Sequence, residues 1–250
     1  ELLGIAAAMG RAGVGVIEVV ADFVDLESEF ELLEAMARTS GRPMSITTLQ
    51  TDARPDQWRE LLGLIEAATA AGADVRGQVA ARPVGLIMTL DGRVHPFVGS
   101  ATYRTLAGLP LAERVEALRR PEVRSAIVAE ATDGLPFGWA KTFPLGDRPD
   151  YDPGADASLA ARAAAEATTP AELAYDALLD HDGTGALYVP IMNYAAADLA
   201  DTRAMLAHPR TVPGLGDAGA HCTMICDGSF PTYLVTAWGR DRSDRFELEW

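Results

Sequence analysis

The sequence predicts an α/β fold built on a parallel sheet, and three features carry that prediction. Short apolar runs alternate with helical stretches, the helical stretches place apolar residues on one stripe, and glycine or proline marks the junctions. Strands that alternate with helices of about ten to fifteen residues are joined by crossovers, which makes neighbouring strands parallel.

The first 80 residues set the rhythm. Val14–Ala21 is a short, β-branched run, and the stretch Glu27–Thr39 after it puts Phe30, Leu33, Met36 and Ala37 on one helical face. Gly41 and Pro43 stop that helix, and Met44–Leu49 reads as the next strand. Trp58, Leu61, Leu62 and Ile65 then recur at the i, i+3, i+4, i+7 spacing of a buried helix face. Gly72 ends the helix, and Val75–Ala80 reads as a third strand.

From Arg82 to about Pro153 the rhythm breaks. Prolines at 83, 96, 110, 121, 136, 144, 149 and 153 argue against regular strands. Leu111–Arg119 and Glu122–Glu130 read as amphipathic helices, and the aromatic, Pro/Gly-rich Phe137–Asp152 as an ordered loop. This block, about 84–153, is expected to be an inserted helical and loop segment that acts as a lid.

The alternation then returns. Thr169-Pro170-Ala171-Glu172 has the form of a capping box with proline at the first helical position, and its helix is expected to run to about Leu179. Ala186–Ile191 reads as a strand, Ala196–Ala207 as a helix, Thr211–Leu215 as a strand and Phe230–Trp238 as a last helix. The count is five strands, taken as parallel, where a closed barrel of such units has eight. Glu1–Arg11 reads as a helix with Leu2, Ile5, Ala6 and Met9 on one face, and the sequence stops at the apolar end Phe246–Trp250. The expectation is therefore that residues 1–250 are the C-terminal part of one barrel domain, whose three missing strands precede Glu1.

Composition narrows the function classes. Of the 250 residues, 48% are hydrophobic and 23% charged, which is globular composition. The net charge of −15 argues against nucleic acid, whose backbone would repel such a surface. No apolar run reaches the roughly 18 residues of a membrane span, and the N-terminus has no signal-peptide pattern. Two cysteines, Cys222 and Cys226, make no disulfide framework, so a reducing cytoplasm is the expected location.

The densest polar cluster is Gly214-Leu215-Gly216-Asp217-Ala218-Gly219-Ala220-His221, where the last strand runs out into a loop. In parallel α/β sheets functional side chains collect at that edge, because the loops there converge on one mouth. A carboxylate in that place can bind a cation or take a proton from an attacking water. Asp217 is the first candidate for both roles, against the plainer reading of an Asp that ends a strand and caps the turn.

Several stretches resemble the D-aminoacylase (N-acyl-D-amino-acid deacylase) branch of the amidohydrolase superfamily. They are Ala186-Leu-Tyr-Val-Pro, Thr211-Val-Pro-Gly-Leu-Gly-Asp-Ala-Gly-Ala-His221 and Cys226-Asp-Gly-Ser-Phe-Pro-Thr-Tyr-Leu-Val, with Gly41-Arg-Pro-Met-Ser-Ile-Thr-Thr-Leu-Gln50 a looser match. The resemblance implies a partial TIM (β/α)8 barrel of amidohydrolase type, an insertion before the last strand, and a zinc-activated water that hydrolyses an amide. It places Asp217 on the family's last-strand Asp, which touches the metal and acts as general base. The sequence departs from the family where two metal-binding histidines fall near Val20 and at Thr48, where a substrate-holding Lys falls at Gln50, and in lacking an Arg between Asp217 and Arg240.

Arg82 directly after the third strand, Gln50 after the second and His221 beyond the last are the substrate-binding candidates, Arg82 as a fork for a carboxylate. The plainer reading of Arg82 is a surface residue paired with an acidic neighbour. Asn193-Tyr194 would follow the fourth strand and face the same mouth. His221, Cys222, Cys226 and Asp227 match no zinc spacing. His95 and His208, each beside proline, read as surface residues, and His181 as the end of a helix. Gly10-Arg-Ala-Gly13-Val-Gly15 ends a helix and precedes a strand, the reverse of a dinucleotide fingerprint.

The expected function is metal-dependent hydrolysis of an amide C–N bond in an N-acyl (D-)amino acid, by a protein whose partner is a small molecule and not a membrane or nucleic acid. An altered-site hydrolase on a cyclic amide or other acyl substrate, and a non-catalytic barrel-derived binding protein, are the alternatives. The 250 residues alone are expected to be inactive, since five strands do not close a barrel.

Overall fold

The computed structural model describes residues 1–131, 137–146, 148–216 and 228–247. It is an α/β fold with a parallel sheet. The chain runs α1 (Leu2–Ala12), β1 (Ile17–Val19), α2 (Leu26–Ser40), β2 (Met44–Thr47), α3 (Gln57–Ala70) and β3 (Val75–Val79). After this come β4 (Val84–Thr89), α4 (Ala101–Leu106), α5 (Leu111–Leu118), α6 (Pro121–Glu130), β5 (Phe143–Pro144), α7 (Leu159–Glu166), α8 (Pro170–Gly183) and β6 (Ala186–Met192). Then follow α9 (Ala200–Leu206), β7 (Thr211–Pro213) and α10 (Phe230–Tyr233), which passes into a π-helical stretch, Leu234–Asp241.

The helices form where the sequence places them, and their caps show why. The Asp25 side chain accepts from Ser28 N–H, while the Glu29 carboxylate accepts from Phe23 and Asp25 N–H, so the first turn of α2 is satisfied from both sides. Gly41, at φ 57°, ends α2 in the left-handed conformation that a glycine adopts without a Cβ clash. Phe30, Leu33, Met36 and Ala37 are buried on one face of α2, and Trp58, Leu61, Leu62 and Ile65 on one face of α3. Thr169 and Glu172 form the full capping box of α8. Helical dihedrals in α8 stop at Asp180, next to the expected end at Leu179.

Two sheets share the chain. β1-β2-β3-β7 form a four-stranded parallel sheet, with Ile17, Met44 and Val75 at one level and Gly77 level with Thr211. Ile17, Met44, Ile46, Val75 and Val79 are buried with the faces of α2 and α3 in one core. A second, antiparallel sheet has the order β4-β6-β5 and packs α4–α8 around Leu86, Met88, Leu187 and Val189.

The second sheet corrects two expectations. Ala186–Met192 is a strand, but it pairs antiparallel with Val84–Thr89, so the parallel sheet holds four strands among the described residues and β7 lies directly beside β3. The proline-rich block also contains strands: β4 begins just after Pro83, and β5 includes Pro144. An apolar run buried on both faces carries no alternation, so its periodicity does not tell a parallel partner from an antiparallel one. Pro190 sits in the central strand of this sheet beside a register shift at Val84/Gly85, a break in the ladder where the missing proline N–H is tolerated.

Candidate functional site

Residues just past the carboxyl ends of β2, β3 and β7 pack with the two rings that hold one guanidinium. Leu49, Ala80 and Leu215, each just past its strand, belong to a small cluster with Tyr151, Tyr188 and Phe230. Arg82 lies within it, fully buried. Its guanidinium carbon sits 3.8 Å from the centroid of the Tyr151 ring and 4.1 Å from that of Phe230. Nη2 donates to Ser229 Oγ at 3.0 Å, and Nη1 to the Pro83 carbonyl at 3.4 Å.

Arg82 is therefore a buried residue and not a surface one. A guanidinium this close to two rings gains cation–π attraction, worth up to about 2 kcal/mol per desolvated contact.

The surroundings fix this arrangement. Tyr151 meets Tyr188 and Tyr233 edge to face, at 5.6 and 5.9 Å between centroids. Burial, helped by the Asp152 charge, pushes the Tyr233 phenol up to about 12. Next in the chain, Asp152 pairs with Arg242 at 2.5 Å, and Arg242 lies over the Trp238 ring at 4.5 Å. Burial raises the Asp152 carboxyl, and the Arg242 bond works against that shift. Trp238 Nε1 donates to the Ala81 carbonyl at 2.6 Å, which ties the C-terminal helical segment to the exit of β3.

Gln50 is placed differently. It is buried, its Oε1 accepts from Ala195 N–H at 3.0 Å, and its Nε2 donates to the Asp201 carboxylate. Asp201 in turn receives Arg59 Nη2 at 2.6 Å. The Gln50 amide thus pins the Asn193–Asp201 segment to β2. Asp217 and His221 lie outside the described residues, as do Cys222, Cys226 and Asp227.

The histidines also differ from expectation. His95 is 1% exposed, enclosed by α4 and α5, and not on the surface. His208 is half-buried, with Nε2 3.2 Å from Glu66. Tyr151, Phe230 and Ser229 were missed as site residues. Their signals were present in the aromatic loop Phe137–Asp152 and in Ser229-Phe230-Pro231, but neither shows that both converge on residue 82.

Among the described residues no three His, Cys, Asp or Glu side chains come together as a metal site. Thr48 is buried and donates its hydroxyl to the Ile46 carbonyl at 3.1 Å, and Val20 is aliphatic. These residues do not fit a zinc ion.

The model of the amidohydrolase family matches residues 1–249. The chain belongs to the amidohydrolase family. Among solved structures, this amidohydrolase is similar to a D-aminoacylase studied for its binuclear metal centre, at 16% identity and TM-score 0.38. It is also similar to N-acyl-D-glutamate deacylase from Bordetella bronchiseptica, complexed with zinc and a phosphonate inhibitor, at 15% identity and TM-score 0.36. Each match covers 85% of this chain and 34% of the other, so the amidohydrolase chain spans about a third of those proteins. No curated protein matches it.

Proposed function

We propose that the protein hydrolyses the amide C–N bond of an N-acylated amino acid. Asp217 takes the proton of the attacking water and returns it to the leaving amine, and Arg82 holds the substrate carboxylate. The packing of three parallel strand exits with the rings that hold the Arg82 guanidinium carries this reading, since it sets a carboxylate-binding group where such sheets bind ligands. Family membership supplies the hydrolase class. The D-amino-acid preference is the finer part of the proposal and follows the resemblance around Asp217.

Gln50 enters as the residue that sets the Asn193–Asp201 segment beside the site, and His221 as a further substrate contact. No step is assigned to zinc. Val20 and Thr48 favour a second reading, an altered-site hydrolase acting on a cyclic amide or another acyl substrate.

The test uses the full-length protein, purified without chelator, assayed for metal and for release of amine from a panel of N-acetyl D- and L-amino acids and cyclic amides. Asp217→Asn is expected to abolish turnover while leaving the near-ultraviolet circular dichroism unchanged. A protein that binds an N-acyl amino acid but hydrolyses none of the panel overturns the proposal in favour of a binding protein.

A further inference from the structure

Arg82 is fully buried, yet a ligand carboxylate has to reach it. The Tyr151 ring lies 3.8 Å from the guanidinium carbon and is itself only 8% exposed. Tyr151 stands in the loop between β5 and α7, so this part of the cover is loop and not sheet. A ligand reaches Arg82 only when some of the cover moves, and a loop held on a rigid scaffold opens more readily than a packed strand.

The ties on this loop are unequal. Just after Asp152, the buried Tyr194 hydroxyl donates to the Pro153 carbonyl. Asp152, next to Tyr151, pairs with Arg242 Nη1 at 2.5 Å. Water reaches this pair, with Arg242 23% and Asp152 28% exposed, whereas Tyr151 and Arg82 are buried. An ion pair in contact with water resists opening only weakly. Arg242 also has a second partner, since its Nε donates to Asp244 Oδ1 at 2.8 Å. Letting go of Asp152 therefore leaves the guanidinium paired, which makes opening easier still.

Arg242 reaches the other side of the site as well. Its guanidinium carbon lies 4.5 Å from the centroid of the Trp238 ring, and Trp238 Nε1 donates to the carbonyl of Ala81, the residue before Arg82. One side chain thus joins the backbone beside Arg82 to the loop that covers it.

We propose that Asp152 and Arg242 form a latch that holds the Tyr151 ring on Arg82, and that a ligand carboxylate reaches the guanidinium when this pair opens. Both are positioning residues, because they act through Tyr151. For its ligand the inference rests on the reading of Arg82 as the group that holds the substrate carboxylate. A site that is open for a fraction of the time binds more weakly by that fraction. Weakening the latch should therefore tighten binding, the opposite of removing a binding residue.

The test is the rate at which phenylglyoxal, an arginine reagent, modifies Arg82 in the full-length protein, read by mass spectrometry of its peptides. Arg114, buried on α5, is the internal reference for general loosening. Tyr151→Ala is expected to raise the Arg82 rate at least about tenfold, by removing the ring from the guanidinium. Asp152→Asn and Arg242→Met are expected to raise it about three- to tenfold with Arg114 unchanged, and Arg242→Lys, which keeps a cation for Asp152, to restore most of the protection. In the two latch variants KM for N-acyl amino acids should fall by the same factor. An unchanged Arg82 rate in Asp152→Asn and Arg242→Met overturns the proposal, as does an equal rise at Arg82 and Arg114. Protection that survives Tyr151→Ala, or a KM that rises in the latch variants, overturns it too. Turnover of N-acyl amino acids with no response of Arg82 to the latch variants would sink this inference and leave the hydrolase reading standing. A response in a protein that hydrolyses nothing would do the reverse.

Discussion

Gln50 and Asn193 close on each other where β2 and β6 leave their sheets. Gln50 N–H donates to Asn193 Oδ1 at 2.8 Å, and Asn193 N–H donates to the Gln50 carbonyl at 2.9 Å. Thr51 and Met192 form an antiparallel bridge next to this pair. The parallel sheet and the second sheet are thus joined by two residues that grip through backbone and side chain together.

Asn193 also holds a left-handed backbone, at φ 62°. Asn193→Ala removes the acceptor of a buried N–H and keeps a Cβ in a conformation that disfavours it. It is expected to cost about 2–4 kcal/mol, seen as a lower urea midpoint. Asn193→Gly loses the same acceptor but tolerates φ > 0, so it should be milder by about 1 kcal/mol. Equal losses below about 1 kcal/mol for both variants would show that the pair does not hold the sheets together.

Arg82→Lys keeps the positive charge but removes the planar group that lies against Tyr151 and Phe230. The expected stability loss is about 1–3 kcal/mol, from two lost stacking contacts. On N-acyl amino acids KM should rise about tenfold or more with kcat little changed, because the lost fork binds ground state and transition state alike. Amides without a carboxylate should show no such rise. A rise of the same size for those amides would separate Arg82 from the substrate carboxylate.

The contrast between two glycines tests the second sheet. A Cβ on Gly85 would stand 2.4 Å from the Val189 carbonyl oxygen and 3.1 Å from Pro190 Cα, backbone atoms that cannot swing aside. Gly85→Ala is therefore expected to lose about 3 kcal/mol or more, a large value even for a buried site. At Gly63, exposed in the middle of α3, a Cβ meets nothing within 4 Å, and Gly63→Ala should gain about 0.5–1 kcal/mol. Thermal melts of the two variants should move in opposite directions, and a neutral Gly85→Ala would disprove the register of β4 on β6.

What the sequence made legible was local. The stripes of α2 and α3 and the Thr169 box are written within a few turns of chain, and the structure reproduces them residue by residue. The partner of β6 was not legible, since its run Ala-Leu-Tyr-Val-Pro-Ile-Met has no alternating face to orient it. The Arg82 site was legible only as a position after a strand. Its stacking partners come from a loop and from a helix far along the chain, whose meeting is a product of tertiary packing. His95 misled for the opposite reason: its neighbour Pro96 suggests a surface turn, but Tyr103 and Arg114 from later helices close over it.

That enclosure makes His95 the place where acid should loosen the fold. Its Nδ1 accepts from Phe97 N–H at 3.2 Å, which sets the neutral ring's proton on Nε2. The Tyr103 ring stands edge-on at 4.6 Å. Arg114, itself paired with Asp91 and bonded to the Tyr103 hydroxyl, faces the same space. Burial first, and the Arg114 charge second, bring the imidazole down to about 4. The unfolded chain binds a proton near 6.5, so between these values it holds more protons than the folded protein and stability falls as the pH falls. The contribution is fully present above about pH 6.5, and by pH 4.5 roughly 2–3 kcal/mol of it should be gone. Urea unfolding from pH 7.5 to 4.5 should show this loss in the natural protein, and His95→Gln, which has no proton to take up, should show a curve flatter by that amount. Parallel curves for the two proteins would place the imidazole in contact with water.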